Sequence, residues 1–156
     1  MITIEFPTNG TSQIVVYKGS ILFLTVARKF YFGSKIKGEF FQEEKKIAIV
    51  SIFFSRIKII FQEFDCCIKV YKNRLFSTNF KIDNDEIKIV ENPLYFLHSK
   101  FYSKIYWNNQ LVGTVEMQKI LDFKGVTLKL KFNTTDDKIQ YYSIISYLTT
   151  CLNINI

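Results

Sequence analysis

The segment Asp136–Leu152, DDKIQYYSIISYLTTCL, limits the possible folds more than any other stretch of the chain. Its apolar and aromatic residues are Ile139, Tyr141, Tyr142, Ile144, Ile145, Tyr147, Leu148, Cys151 and Leu152. On a helix they cover nearly the whole circumference instead of one stripe. The interruptions Ser143, Ser146, Thr149 and Thr150 are small, and no charge follows Lys138. A helix that is apolar all round is either a membrane span or buried in a protein core. This one falls short of the roughly 20 apolar residues a span needs. Ile, Tyr and Thr favour strands, but strict alternation is absent, which sets the segment against a strand pair. Thr134 and Thr135 offer hydroxyl oxygens for capping, and Asp136 and Asp137 put negative charge where the helix dipole favours it. The expectation is a buried helix over about residues 136–152.

Everything before it reads as strand. Short alternating runs separated by turn residues fill residues 1–132. They are Thr3–Phe6, Ser12–Tyr17, Ile21–Ala27, Phe30–Phe32, Lys35–Gln42, Ile47–Phe54, Ile57–Phe64, Cys66–Tyr71, Leu75–Ile82, Glu86–Val90, Leu94–His98, Ser103–Trp107, Gln110–Val115, Met117–Phe123 and Val126–Phe132. Asn9-Gly10, Gly19-Ser20, Gly33-Ser34, Glu43-Glu44-Lys45-Lys46, Asn73-Arg74, Asp83-Asn84-Asp85 and Lys124-Gly125 read as turns. The clearest hairpin has Asn108-Asn109 at its tip, because Asn tolerates the positive φ a two-residue turn demands. No linker, low-complexity segment or composition shift divides the 156 residues, so one domain is expected.

Many strands burying one face each, followed by one helix without a polar side, pack most economically with the helix inside a barrel. From Ser103 onward the chain resembles the tubby C-terminal-like superfamily, which comprises tubby-like proteins, phospholipid scramblases and LURP-one-related proteins. The resemblance rests on Lys104-Ile105-Tyr106-Trp107-Asn108-Asn109-Gln110-Leu111-Val112-Gly113-Thr114-Val115, an aromatic strand turning into a V-G strand, then Thr127–Phe132 and the helix, in that order. The turn here is Asn-Asn-Gln and contains no Gly. The resemblance implies a mainly β fold, a closed antiparallel barrel of roughly twelve strands around a hydrophobic C-terminal helix. It also implies anionic phospholipid as the ligand class, and a non-enzymatic role at a membrane surface.

Little in the sequence points to catalysis. His98 is the only histidine, and Cys66, Cys67 and Cys151 are the only cysteines, with no C-x-x-C spacing. The phosphate-loop, nucleophile-elbow, zincin and dinucleotide motifs are absent. No enzyme, cofactor or metal is therefore expected. The start, MITIEFPTNG, lacks the basic and apolar regions of a secretory signal, and the cysteines read as buried, reduced thiols. A cytoplasmic protein with no transmembrane segment, peripheral at a membrane where lipid is the partner, is the expectation.

The formal net charge is +7. It is carried mostly by Lys in a chain rich in Phe, Ile, Asn and Tyr, a composition that matches an AT-rich genome, which discounts the charge as a functional signal. Lys35, Lys37, Lys45 and Lys46 cluster about one expected hairpin, and Arg56 and Lys58 lie at the next turn and strand. On one rim these six would form a patch for phosphate head groups. The competing reading is that Lys blunts exposed strand edges. Aromatics among bases, as in Lys29-Phe30-Tyr31-Phe32, are able to stack nucleotides, although in a barrel they more often fill the core. Three partner classes remain: anionic phospholipid, a protein partner such as that of a bacterial scaffold, inhibitor or immunity-type protein, and, behind both, nucleic acid.

Overall fold

In the computed structural model the described residues are 1–7, 13–31, 35–53, 56–61, 68–74, 76–92, 102–119 and 125–152. They form twelve strands and one helix. The strands are β1 (Ile2–Pro7), β2 (Gln13–Lys18), β3 (Ile21–Tyr31), β4 (Lys35–Gln42), β5 (Lys45–Phe53) and β6 (Arg56–Phe61), then β7 (Ile68–Arg74), β8 (Ser77–Ile82), β9 (Asp85–Glu91), β10 (Ser103–Trp107), β11 (Gln110–Lys119) and β12 (Gly125–Phe132). The helix, α1, is Asp137–Cys151. The expected mainly β chain with one C-terminal helix is thus present.

All strands belong to one antiparallel sheet in the order β1-β12-β11-β10-β9-β8-β7-β6-β5-β4-β3-β2, and β1 pairs with both β12 and β2. The thinnest join is β6 to β7, made by the single register pair Lys58↔Lys69. Closure of the sheet into a barrel hangs on that join.

Alternation sorts the side chains, as a period of two requires. Ile2 and Ile4 of β1, Ile14 and Val16 of β2, Leu24 and Val26 of β3, Val50 and Ile52 of β5, Ile87 and Ile89 of β9, and Leu128 and Leu130 of β12 are all buried. They join the helix in one hydrophobic cluster. Eight consecutive helix residues, Tyr142 through Thr149, are buried. A helix packed against one sheet face shows a buried stripe, so burial on every side means protein surrounds it.

Contacts at both ends of α1 agree. Asp137 meets Lys18 of β2 at 3.5 Å, while its neighbour Lys138 lies 4.0 Å from Asp85 of β9, far away in the sheet order. At the other end, Leu152 packs on Gly38 of β4. A Cβ built on Gly38 would sit 2.6 Å from Leu152 Cδ1. Gly38→Ala is expected to cost about 1–3 kcal/mol by overpacking. The added Leu152→Ala exchange should return part of that loss, measured as a double-mutant cycle of urea unfolding. Strict additivity would separate β4 from the helix end.

Several boundaries differ from the sequence expectation. Ala27 and Phe30 belong to one strand, because β3 stays in register with β4 from Thr25↔Phe41 to Tyr31↔Lys35. Likewise β11 runs unbroken to Lys119 against β12, so Met117 begins no new strand. Asn73 and Arg74 are not a turn; they pair with Thr78 and Ser77. The β4–β5 turn is Glu43-Glu44 alone, at φ 48 and 66, and Lys45 already pairs with Gln42. Two residues suffice there because their twist matches that of the flanking strands.

The helix cap also differs. Asp136 is the N-cap, its Oδ1 accepting from the Ile139 N–H at 3.1 Å. Thr134 supports the cap one step earlier, its hydroxyl accepting from the Asp136 N–H at 3.2 Å. A carboxylate adds charge to the capping bond, which a threonine hydroxyl does not. The expected Leu94–His98 strand, the Asn9-Gly10 and Gly33-Ser34 turns, and Cys66, Cys67 and His98 lie outside the described residues.

Candidate functional site

The outer face of β3–β6 carries the features that the core does not use. Register lines up its residues in three rows across the strands. The first is Tyr31, Lys35, Phe53 and Arg56, and the second is Lys29, Lys37, Ser51 and Lys58. The third is Ala27, Glu39, Ile49 and Ile60. The second row continues in backbone register through Lys69 to Lys81 and then meets Glu86.

Lysines directly opposite one another, as Lys29 and Lys37 are, repel and destabilise a sheet. Glu39 relieves this. Its carboxylate lies 3.4 Å from Lys29 Nζ, 2.9 Å from Lys37 Nζ and 3.1 Å from Lys46 Nζ. Glu39 is only 7% exposed, although it belongs to the outer face. The lysine side chains cover it. Hydrogen bonds from Lys37 and Lys46 hold its carboxyl down to about 2, and Glu39 in turn raises Lys37.

The shift has a sign that stability measurements can read. The folded pKa of Glu39 lies below its ordinary value of 4.5, so its contribution is fully present above pH 4.5 and disappears as pH falls toward 2. With the partner lysines partly in water, about 1 kcal/mol is expected. The urea midpoint of the wild-type chain should drop through that window by more than that of Glu39→Gln, and parallel curves would contradict the depressed pKa.

The six expected patch residues divide. Lys37 and Lys46 converge on Glu39. Lys35 stands in the adjoining row with its ammonium 5.8 Å from the Tyr31 ring centre. Lys58 is exposed and opposes Ser51. Lys45 lies at the other end of the hairpin from Lys35, beside the turn, with its backbone paired to Gln42. Arg56 opposes Phe53 by its backbone, and its side chain lies outside the described ones.

Glu39, Phe53 and Ile60 carry no signal of their own in the sequence, and Lys29 and Tyr31 stand out there only as part of the Lys29-Phe30-Tyr31-Phe32 run. The signal for Lys29 and Tyr31 is the two-residue period of β3, which puts them on the face opposite Leu24 and Val26. Tyr31 is 47% exposed, Phe53 48% and Ile60 45%. The face is therefore basic with accessible aromatic and aliphatic groups among the charges.

The interior offers less chemistry. Arg28 points inward, opposite Gly38, with its guanidinium 5.9 Å from the Phe30 ring, and burial lowers its pKa. Burial also pushes the Cys151 thiol up to about 12 and the Tyr147 hydroxyl well above its ordinary value. A thiol held neutral is a poor nucleophile. Thr149 and Thr150 donate to the carbonyls of Ile145 and Tyr147, both at 2.7 Å, so their hydroxyls are spent within the helix. Among the described residues, no group of three or more His, Cys, Asp or Glu is placed to hold a metal ion, and no helix is long and apolar enough to cross a membrane.

No protein-family model, curated protein or solved structure matches the chain.

Proposed function

We propose that this chain is a non-enzymatic binding module that docks on anionic phospholipid surfaces through the outer face of β3–β6. In this reading the sheet closes at the β6–β7 join into a tubby-like barrel around α1, and the protein is cytoplasmic and peripheral at the membrane. The observation that carries it is the row Lys29, Lys37, Ser51, Lys58 flanked by exposed Tyr31, Phe53 and Ile60. Lysines near an anionic leaflet gain about 1 kcal/mol each, and aromatic rings settle at the level of the head groups.

Charge at the ends of the sheet gives the docking a direction. Glu43, Glu44, Asp83, Asp85, Asp136 and Asp137 outnumber Lys18, Lys45, Lys46 and Lys138 at the end where α1 begins. The Tyr31–Lys35–Phe53 row lies toward the opposite end. An anionic surface would repel the first and attract the second.

Sedimentation with phosphatidylserine-containing and with pure phosphatidylcholine vesicles tests the reading. Binding to the first alone, weakening as salt is raised, is the expected result. Equal binding to both, or none, overturns it. Retardation of duplex DNA at the same protein concentration and the same salt would reassign the face to nucleic acid.

A further inference from the structure

Near the turn end of the sheet, a groove on β3 and β4 has the opposite chemistry to the lysine face. It holds about 440 Å³ and is lined chiefly by Leu22, Phe23, Thr25, Phe41, Glu43 and Glu44. Thr25 and Phe41, a direct cross-strand pair, both line it. Leu22, 54% exposed, stands at its side, next to Ile21 at 75%.

The acidic end of the groove is held in place. Glu43 and Glu44 form the two-residue turn, whose positive φ values of 48 and 66 fix where both exposed side chains start. Among the described residues no Lys or Arg lines the groove. Lys46, whose ammonium lies 5.7 Å from the Phe41 ring centre, is already tied to Glu39 at 3.1 Å. Glu43 and Glu44 thus put two adjacent carboxylates beside an open apolar cleft, with Lys45 and Lys46 following on the outgoing strand.

We infer that this groove is a docking site for a segment of a partner protein that presents Lys or Arg next to a bulky apolar side chain. The cation would meet Glu43 and Glu44, and the apolar side chain would lie on Phe41 against Leu22. Complementary charge would select the partner, and burial of the apolar side chain would hold it. The volume suits a few side chains, within the roughly 300–1,000 Å³ usual for such sites. This inference does not depend on the lipid reading, because the groove lies outside the lysine rows.

The test titrates two synthetic peptides into the isotope-labelled full chain and follows amide chemical shifts. One is acetyl-Leu-Arg-Lys-Phe-Leu-amide; the other has Glu in place of Arg and Lys. The basic peptide is expected to bind at least about tenfold more tightly and to shift Leu22, Thr25, Phe41 and Glu43. The double variant Glu43→Gln/Glu44→Gln, confined to an exposed turn, should keep the melting temperature and lose that preference. Leu22→Ser should weaken both peptides. Absence of binding, equal affinity for the two peptides, or a preference that survives the double variant overturns the proposal. So does saturation by dodecylammonium where neither peptide binds, which would make the occupant a small amphiphile. Self-association that Leu22→Ser abolishes would make it a second copy of the chain, with the same consequence.

Discussion

Ile145→Asp is expected to leave the chain without a stable fold. Ile145 is fully buried, in the middle of the run from Tyr142 to Thr149 that is buried on every side. A carboxylate there has no route to water along the helix surface. It must either stay protonated or open the core, and the isoleucine packing is lost in both cases. Truncating a buried isoleucine costs about 2–5 kcal/mol, and an unpaired buried carboxyl adds several more. The sum reaches the whole stability of an ordinary domain, about 5–15 kcal/mol. Far-ultraviolet circular dichroism and gel filtration should report an unfolded or aggregated chain. Lys138→Asp, one residue inside the exposed start of the same helix, should change stability by less than about 1 kcal/mol. A soluble Ile145→Asp chain with a near-normal melting temperature would mean that α1 sits at the periphery.

The helix was legible because its sequence contains its own evidence. No amphipathic placement fits a stretch whose apolar residues cover every side, so burial followed from pattern alone. The hairpins with strong turns were equally readable: Lys35–Gln42 and Ser103–Trp107 appear with the expected bounds. What failed was punctuation by polar residues inside strands. Asn73-Arg74 looks like a turn in one dimension, yet it is paired across to Thr78 and Ser77. Arg28-Lys29 looked like a break, but alternation sends Arg28 inward and Lys29 outward without interrupting the ladder.

The candidate face was only half legible for a related reason. Lys37 and Lys46 are nine positions apart in the sequence, and Lys29 is on another strand. They meet only because the bulge between Phe40 and Phe41 and the register of β3 on β4 bring all three to Glu39. Register is a tertiary quantity that composition does not encode. For the same reason adjacency in sequence does not show that Lys46 reaches Glu39 while Lys45 starts beside the turn.

Exchange of Lys29, Lys37 and Lys58 together for Gln is expected to lower affinity for phosphatidylserine-containing vesicles about hundredfold, from about 1 kcal/mol per lysine. The three stand in one register row, so a flat anionic surface would meet them at once. The fold should tolerate the change. Lys29 and Lys58 are exposed, and relief of the direct Lys29–Lys37 opposition offsets part of the lost pairing with Glu39. Glu39→Gln tests the same face in the opposite direction. That carboxylate cancels one positive charge and draws three ammonium groups toward itself. Its removal should raise vesicle affinity by severalfold at low salt, even as it lowers stability by about 1 kcal/mol. A structural explanation alone predicts the same sign for both variants, with weaker binding following weaker folding. Opposite signs therefore distinguish a docking face from a set of lysines that merely keeps the sheet soluble. Loss of binding in both variants, or change in neither, would remove the lipid reading from β3–β6.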